Sequence, residues 1–465
     1  SPYAITDYYD IDPDLAVDVD KRVQEWESLI ARTHKAGMKV IMDFVPNHVA
    51  RQYHSVCKPK GVRDLGEDDD VNMHFSTHNN FYYCWGQSLD LGDVTDSQTY
   101  HEAPARATGN DHFDNRPGRN DWYETVKLNY GVDYCDAGGR SEHFDPTPDT
   151  WTKMTDILMY WAGKGVDGFR CDMAEMVPAA FWAYATKVVK TAYPHIIFIG
   201  EVYNPSLYRT YIGAGFDLLY DKVGMYDSLR DIVCGRRWAS DITTQWLQTD
   251  DIRDHMLYFL ENHDEQRIAS DFFAGEPWAA YPAHIVSCLL HTNPYMLYAG
   301  QELGERGMDK EGFSGRDGRS TIFDYWSMDS VNHGYFDIRK KTPSERKLME
   351  AYKRVMLIAE KEKAASRGLT FDLMYVNGHL AQSQYAFLRK KDDELLLVVV
   401  NFAAEAIDTG VIIPSHAFEY MGIAEGDADA VDLLSDGKAK LHLAVNEAVN
   451  VAVPAHGGVV YKIKQ

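Results

Sequence analysis

The sequence predicts an α/β protein built on a parallel sheet with crossover helices, followed by a smaller antiparallel β domain. Two observations predict this. From residue 20 to about 305, helix-period stretches alternate with short β-rich runs, the pattern of parallel strands joined through helices. Beyond Leu369 the texture changes to strands separated by turn signals. At 465 residues, 45% of them hydrophobic, the chain is long enough for two or three domains, because single cores stop growing near ~250–300 residues.

Taken in order, Val23, Trp26 and Ile30 recur at steps of three and four and predict a helix, and the Val-, Ile- and Phe-rich run 39–45 predicts the strand after it. The same succession returns with Trp151, Met154, Leu158 and Trp161 before the run 166–172. It returns again with Phe181, Tyr184 and Val188 before 196–202. Strands are also predicted at 216–220, 256–260 and 295–298, which makes six. Between Val49 and Lys127 the alternation gives way to a polar segment with acidic, glycine and aromatic clusters, including Glu67-Asp68-Asp69-Asp70 and Phe81-Tyr82-Tyr83-Cys84-Trp85. A loop of that length inside a compact domain is a functional excursion or a small subdomain. The terminal β domain is predicted from the runs 386–388, 395–400, 411–413, 449–453 and 459–463.

Composition narrows the function classes. Forty-seven basic against 70 acidic residues give a net charge of −23, a surface that repels phosphate backbones and anionic membranes, so nucleic acid is not an expected partner. No run of apolar residues is long enough for a membrane span. Abundant Tyr and Trp fit sugar binding, since apolar pyranose faces lie on rings whose polar tips stay wet, although ordinary cores use aromatics too. The six cysteines lack CxxC spacing, which argues against a zinc site or a disulfide scaffold, and they read as separate reduced thiols. Only Cys57 and Cys84, flanking one loop-like stretch, are placed to bridge. The chain carries no signal peptide and begins at Ser1 in what reads as a loop, so secreted or periplasmic against cytoplasmic stays open, as does oligomeric state.

The chemistry gathers at strand ends. In Gly168-Phe169-Arg170-Cys171-Asp172, period two puts Gly168, Arg170 and Asp172 on one face. An arginine pointing the same way as an aspartate keeps that carboxylate ionised and aimed, as a nucleophile requires, though alone the pair reads as a structural ion pair. The next run, 197–201, ends in Glu201 at the C-terminal edge, where parallel barrels carry their active sites. Apolar neighbours raise a glutamate's pKa towards that of a general acid; alone, the residue also reads as a solvated strand end. A third run ends in Glu261-Asn262-His263-Asp264 and a fourth in Pro46-Asn47-His48.

In order and composition, these four strand ends resemble the α-amylase family of glycoside hydrolases: Asp43-Phe44-Val45-Pro46-Asn47-His48, Gly168-Phe169-Arg170-Cys171-Asp172, Gly200-Glu201-Val202 and Glu261-Asn262-His263-Asp264. The resemblance runs from residue 1 to about 305, and the terminal β domain fits it too. It implies a (β/α)8 TIM-type barrel with a subdomain inserted after strand 3 and a C-terminal antiparallel β-sandwich. The barrel would take 1–48 and 129–365, the insert 49–128 and the β domain 366–465. It also implies retaining cleavage of α-1,4-glucosidic bonds in an α-glucan through a glycosyl-enzyme ester, with no cofactor in the chemistry. Asp172 would be the nucleophile, Glu201 the general acid/base and Asp264 a third carboxylate gripping sugar hydroxyls. Asp172 and Glu201 would then stand ~5–5.5 Å apart. His48 and His263 would bond hydroxyls of the same sugar, Arg170 would orient Asp172 with Asp43 behind it, and Tyr3 would stack on the sugar or else pack on the rim. A transglycosylase, in which a second sugar intercepts the ester, would use identical residues.

The sequence departs from the family pattern in three places. Many α-amylases hold a structural calcium between the motif asparagine, here Asn47, and an aspartate near the end of the excursion. Lys127 stands at that second position, and an ammonium can occupy a cation's place but cannot ligate calcium, which puts the ion in doubt. That lysine resembles the neopullulanase and maltodextrin-degrading branches. Met173-Ala174-Glu175-Met176 lacks the Lys-His pair that many α-amylases place after the nucleophile, which favours maltodextrins or mixed α-1,4 and α-1,6 linkages; Glu175 reads equally as a solvated residue. Finally, six strands cannot close an eight-stranded barrel, so the first two barrel strands are expected to be absent from this chain. In the excursion, Trp85 and Trp122 either line outer sugar sites or pack the subdomain.

Overall fold

All six predicted parallel strands form. In the computed structural model, which describes residues 1–309, 316–323 and 325–465, the chain falls into two units, Ser1–Leu219 and Tyr220–Gln465.

In the first unit, β1 (Ile41–Phe44), β2 (Gly168–Cys171) and β3 (Ile197–Gly200) run parallel in that order, and β4 (Leu218–Tyr220) continues the sheet by pairing Leu218 with Ile199 and Leu219 with Gly200. Helix α1 (Arg22–Lys35) precedes β1, α2 (Asp149–Gly163) precedes β2 and α3 (Ala179–Ala192) precedes β3. The helical period decides what each buries. Helix α2 buries Trp151, Met154, Leu158 and Trp161, the stripe visible in the sequence, and α3 buries Phe181, Trp182, Ala185 and Val189. Only Ile30 of α1 is buried, and Ile41 of β1 is exposed. Among the described residues, β1 is the edge of its sheet.

The excursion carries its own core and polar ties. His48–Ala50 pairs with Thr125–Lys127, and Tyr83–Cys84 with Ala105–Arg106. Asp69, from the acidic cluster, is not a solvated charge: its carboxylate accepts the amides of Asn80 and Phe81 and the Tyr83 hydroxyl, fixing the aromatic run that follows. Arg51 and Arg106 both bond the buried Glu102, at 2.8 and 2.7 Å. A loop-rich unit with few ladders gains its order from such paired, desolvated charges.

The second unit holds the parallel pair β5 (Met256–Phe259) and β6 (Tyr295–Met296), helices α4 (Tyr281–Leu289) and α5 (Pro343–Lys361), and the terminal β domain. Helix α5 starts on a capping box, Thr342 with Glu345, and a proline in its first turn. The terminal strands are β7 (Leu369–Asp372), β8 (Gln384–Lys391), β9 (Glu394–Asn401), β10 (Ile407–Ile412), β11 (Gly426–Asp432), β12 (Lys438–Leu443), β13 (Ala448–Val453) and β14 (Gly457–Lys464). Six of them form one antiparallel sheet in the order β7-β8-β9-β14-β11-β12, and β10 pairs with β13. Strand β13 alternates exposed and buried residues, whereas β9 is buried along both faces, which is why Leu395 to Val400 reads as an unbroken apolar run.

All six cysteines are free, including Cys57 and Cys84. No helix among the described residues is long and apolar enough to cross a membrane.

Candidate active site

Strand register sets the first two carboxylates. Phe44, Cys171 and Gly200 are partners across β1, β2 and β3, so Asp172 and Glu201 leave adjacent strands at the same level. The ladder runs on beneath them: the Asp172 amide donates to Phe44 O at 2.9 Å and the Glu201 amide to Cys171 O at 3.1 Å. Gly200 before Glu201 is a packing requirement, since a Cβ there would come within 2.8 Å of the Phe216 ring. The backbone under both acids is therefore fixed by the sheet.

Arg170 holds the two carboxylates side by side. Its Nη1 donates to Asp172 Oδ1 at 2.9 Å and to the Asp43 carboxylate at 3.2 and 3.3 Å, and its Nη2 lies 2.8 Å from Glu201 Oε2. The Tyr3 hydroxyl donates to Asp43 Oδ2 at 2.9 Å, and the Tyr3 ring lies 5.7 Å from the Arg170 guanidinium. Burial raises the Asp172 carboxyl above the usual range; Arg170 opposes that rise, while the charges of Glu201 and Asp43 add to it. Like charges this close to one guanidinium each disfavour ionisation of the other, which is why Glu201 and Asp43 add to the rise at Asp172.

Glu201 is also held from the chain after Asp172. Met173 sits in the left-handed region (φ 42°, ψ 44°), a strained conformation for a side-chain-bearing residue, and its amide donates to Glu201 Oε2 at 2.8 Å. The Tyr203 hydroxyl donates to Glu201 Oε1. Glu175 is not a solvated residue: its Oε2 accepts the Tyr203 and Asn204 amides at 3.2 and 2.9 Å.

His48 is buried, its ring 5.2 Å from that of Trp122. Burial, and then the charge of Lys127, push its imidazole down to about 4, so it is neutral near pH 7. The Asn47 side-chain nitrogen lies 3.2 Å from His48 Nδ1 and donates to Gly109 O at 2.7 Å. With an amide facing Nδ1, the ring proton is assigned to Nε2. Trp122 thus packs beside a predicted site residue, whereas Trp85 is 67% exposed.

The place expected for a calcium ion, beside Asn47, contains an ammonium. Lys127, 2% exposed, donates to Asn47 Oδ1, lies 2.6 Å from Asp111 Oδ1 and reaches Met176 O at 3.3 Å. The three oxygens are calcium-type donors, but with Nζ among them the arrangement does not fit an ion. Burial lowers the Lys127 pKa and Asp111 opposes that shift.

In the second unit, β5 is followed by Glu261 and Asn262. Glu261 is paired with buried Arg267 at 2.8 Å and accepts the Ile268 amide at 2.7 Å. Asn262 Oδ1 accepts the amides of Asp264 and Glu265, at 2.9 and 3.0 Å, turning the chain directly after the strand. That turn carries His263 and Asp264, whose Nε2 and Oδ2 lie 3.3 Å apart.

Sequence reasoning missed Tyr203, Asp111, Arg267 and the Arg170 contact to Glu201. Of these only Tyr203 carried a local signal, standing two residues beyond Glu201.

Comparison with known proteins gives the family. The α-amylase catalytic-domain family matches residues 1–363, and the α-amylase C-terminal all-β domain matches 375–464. Alpha-amylase 3 of Dictyoglomus thermophilum is 24% identical over 423 residues, covering 86% of this chain and 74% of the relative. Neopullulanase 2 of Thermoactinomyces vulgaris is 21% identical over 409 residues, covering 87% of this chain but 57% of the relative. The fold superposes on an acarbose-complexed α-amylase from Geobacillus thermoleovorans with a TM-score of 0.66 at 18% identity, covering 100% of this chain and 84% of that one. Strand-end carboxylates, the terminal β domain and the family matches converge, and the chain belongs to the α-amylase family of glycoside hydrolases, enzymes that act on α-glucans.

Proposed function

We propose that this chain is a retaining hydrolase that cleaves α-1,4-glucosidic bonds, and accepts α-1,6 bonds, in starch-derived maltodextrins. The observation that carries this reading is the Arg170 guanidinium engaged at once with Asp172 and Glu201. Carboxylates sharing one guanidinium suit the short separation of retaining enzymes, ~5–5.5 Å, better than the wider gap that admits a water in inverting ones. In the first step Glu201 gives its proton to the glycosidic oxygen as the C1–O bond breaks and Asp172 Oδ forms an ester to C1. In the second, Glu201 takes a proton from water, whose oxygen displaces Asp172. Asp264 serves as the third carboxylate, His48 and His263 bond hydroxyls of the sugar being cleaved, and Tyr3 stacks on it.

Two features support short or mixed-linkage substrates. The segment after Asp172 uses Glu175 to brace the backbone at Tyr203 and Asn204 instead of offering a cationic pair to outer sugars. Lys127 takes the place of calcium, and a relative named neopullulanase aligns over most of this chain. The Lys127 ammonium, in this reading, ties the excursion to the strand ends without a metal.

Product analysis on a maltooligosaccharide ladder, starch and pullulan, with NMR of the first-formed anomer, tests the proposal. Short products of α configuration from all three are expected. A β anomer formed first would overturn retention, and oligomers longer than the substrate would show transfer in place of hydrolysis.

A further inference from the structure

Glu201 is surrounded by donors of two kinds. Its Oε2 accepts from the Met173 amide and faces Arg170 Nη2, both at 2.8 Å. An amide N–H and a guanidinium can only donate, so neither can receive a proton from that oxygen. Its Oε1 bonds the Tyr203 hydroxyl, which alone among these partners can donate or accept. Glu201 is 2% exposed, so solvent does not take that role.

From this we infer that Oε1 is the proton-bearing oxygen of Glu201 and that Tyr203 is a positioning residue that favours release of that proton. The inference rests on the reading of Glu201 as general acid/base. When Glu201 is protonated, the proton lies on Oε1; as it passes to the glycosidic oxygen, Oε1 gains charge and the bond from Tyr203 strengthens. A donor that binds the anion more tightly than the acid stabilises the transition state of the first step selectively. The phenol is itself held in place, because Glu175 fixes the amides of residues 203 and 204 and the Tyr211 hydroxyl donates to Glu175 O at 3.1 Å. Three braces thus converge on one carboxyl from separate stretches of chain: Arg170 on β2, Met173 in the turn after it and Tyr203 after β3. The charged groups facing Glu201 within this unit are Arg170 and Asp172, with Asp43 behind Arg170 and Glu175 behind Tyr203.

The test compares the full chain with Tyr203→Phe and Glu201→Gln, measuring kcat/KM on maltotetraose, a poor leaving group, and on α-maltosyl fluoride, whose departing fluoride needs little acid assistance. Tyr203→Phe is expected to lose about ten- to a hundredfold on maltotetraose, the range for a hydrogen bond to a charged group, and less than threefold on the fluoride. Equal losses on both substrates would make Tyr203 merely structural and overturn the inference. Glu175→Ala, which frees the Tyr203 backbone, should give a milder version of the same selective loss; a loss equal on both substrates counts against the inference. If Glu201→Gln itself retains full activity on maltotetraose, the acid/base reading fails. If Glu201→Gln shows the leaving-group pattern and Tyr203→Phe does not, this inference alone fails.

Discussion

Arg170 Nη2 lies 2.8 Å from Glu201 Oε2, so the arginine that aims Asp172 also grips the other acid. A planar fork can hold two carboxylates in one fixed relation, which a point charge on a flexible stem cannot. Replacement Arg170→Lys is therefore expected to lower kcat by more than about tenfold even though the positive charge is kept. Steady-state kinetics on maltotetraose check this, and activity within twofold of the parent would contradict it.

The carboxylates themselves carry the largest effects. Glu201→Gln should cost about 10²–10⁴ in kcat on unactivated glucans, the usual share of general acid–base catalysis. Asp172→Asn should abolish turnover while calorimetry still detects oligosaccharide binding. Unchanged turnover in Asp172→Asn would point to a sugar-binding protein instead.

The acid side of the pH profile follows from Asp172. Burial raises its carboxyl above the ordinary carboxylate range. Ester formation requires the ionised form, so kcat/KM is expected to fall on the acid side at a higher pH than an ordinary carboxylate would give. A pH–rate profile whose acid limb lies at the ordinary carboxylate value would contradict this.

Lys127 predicts metal independence. Chelation with EDTA should leave the melting temperature unchanged, because the ammonium already satisfies Asn47 and Asp111. Lys127→Met, which leaves these oxygens without a donor, should destabilise the protein by about 3 kcal/mol, as removing one partner of a buried pair does. A fall of several degrees in the parent on chelation would show that the lysine does not replace the ion.

Three buried histidines make the fold acid-sensitive. Burial lowers His48 to about 4 and both His284 and His291 to about 3. Between these values and the unfolded value near ~6.5, the unfolded chain binds more protons, so stability falls as pH falls. Each histidine should cost on the order of 1 kcal/mol per pH unit in that window. Urea denaturation at pH 7 and pH 5 measures it, and a midpoint that does not drop at pH 5 would count against neutral burial.

The sequence by itself determined the features that follow from local periodicity. Strand runs of period two, each ending in a polar cluster, placed Asp172, Glu201 and Asp264 at strand ends, because alternation fixes which residues leave a strand together. Helix spacing likewise disclosed the buried stripe of α2. Tertiary structure alone decided which charges meet. Arg170 reaches Glu201 across neighbouring strands, Glu175 caps a backbone turn 28 residues on, and Lys127 finds Asp111 within the excursion. Those pairings depend on register and loop path, which no short-range pattern encodes, and on burial, which turns each from a solvated charge into one that must be paired.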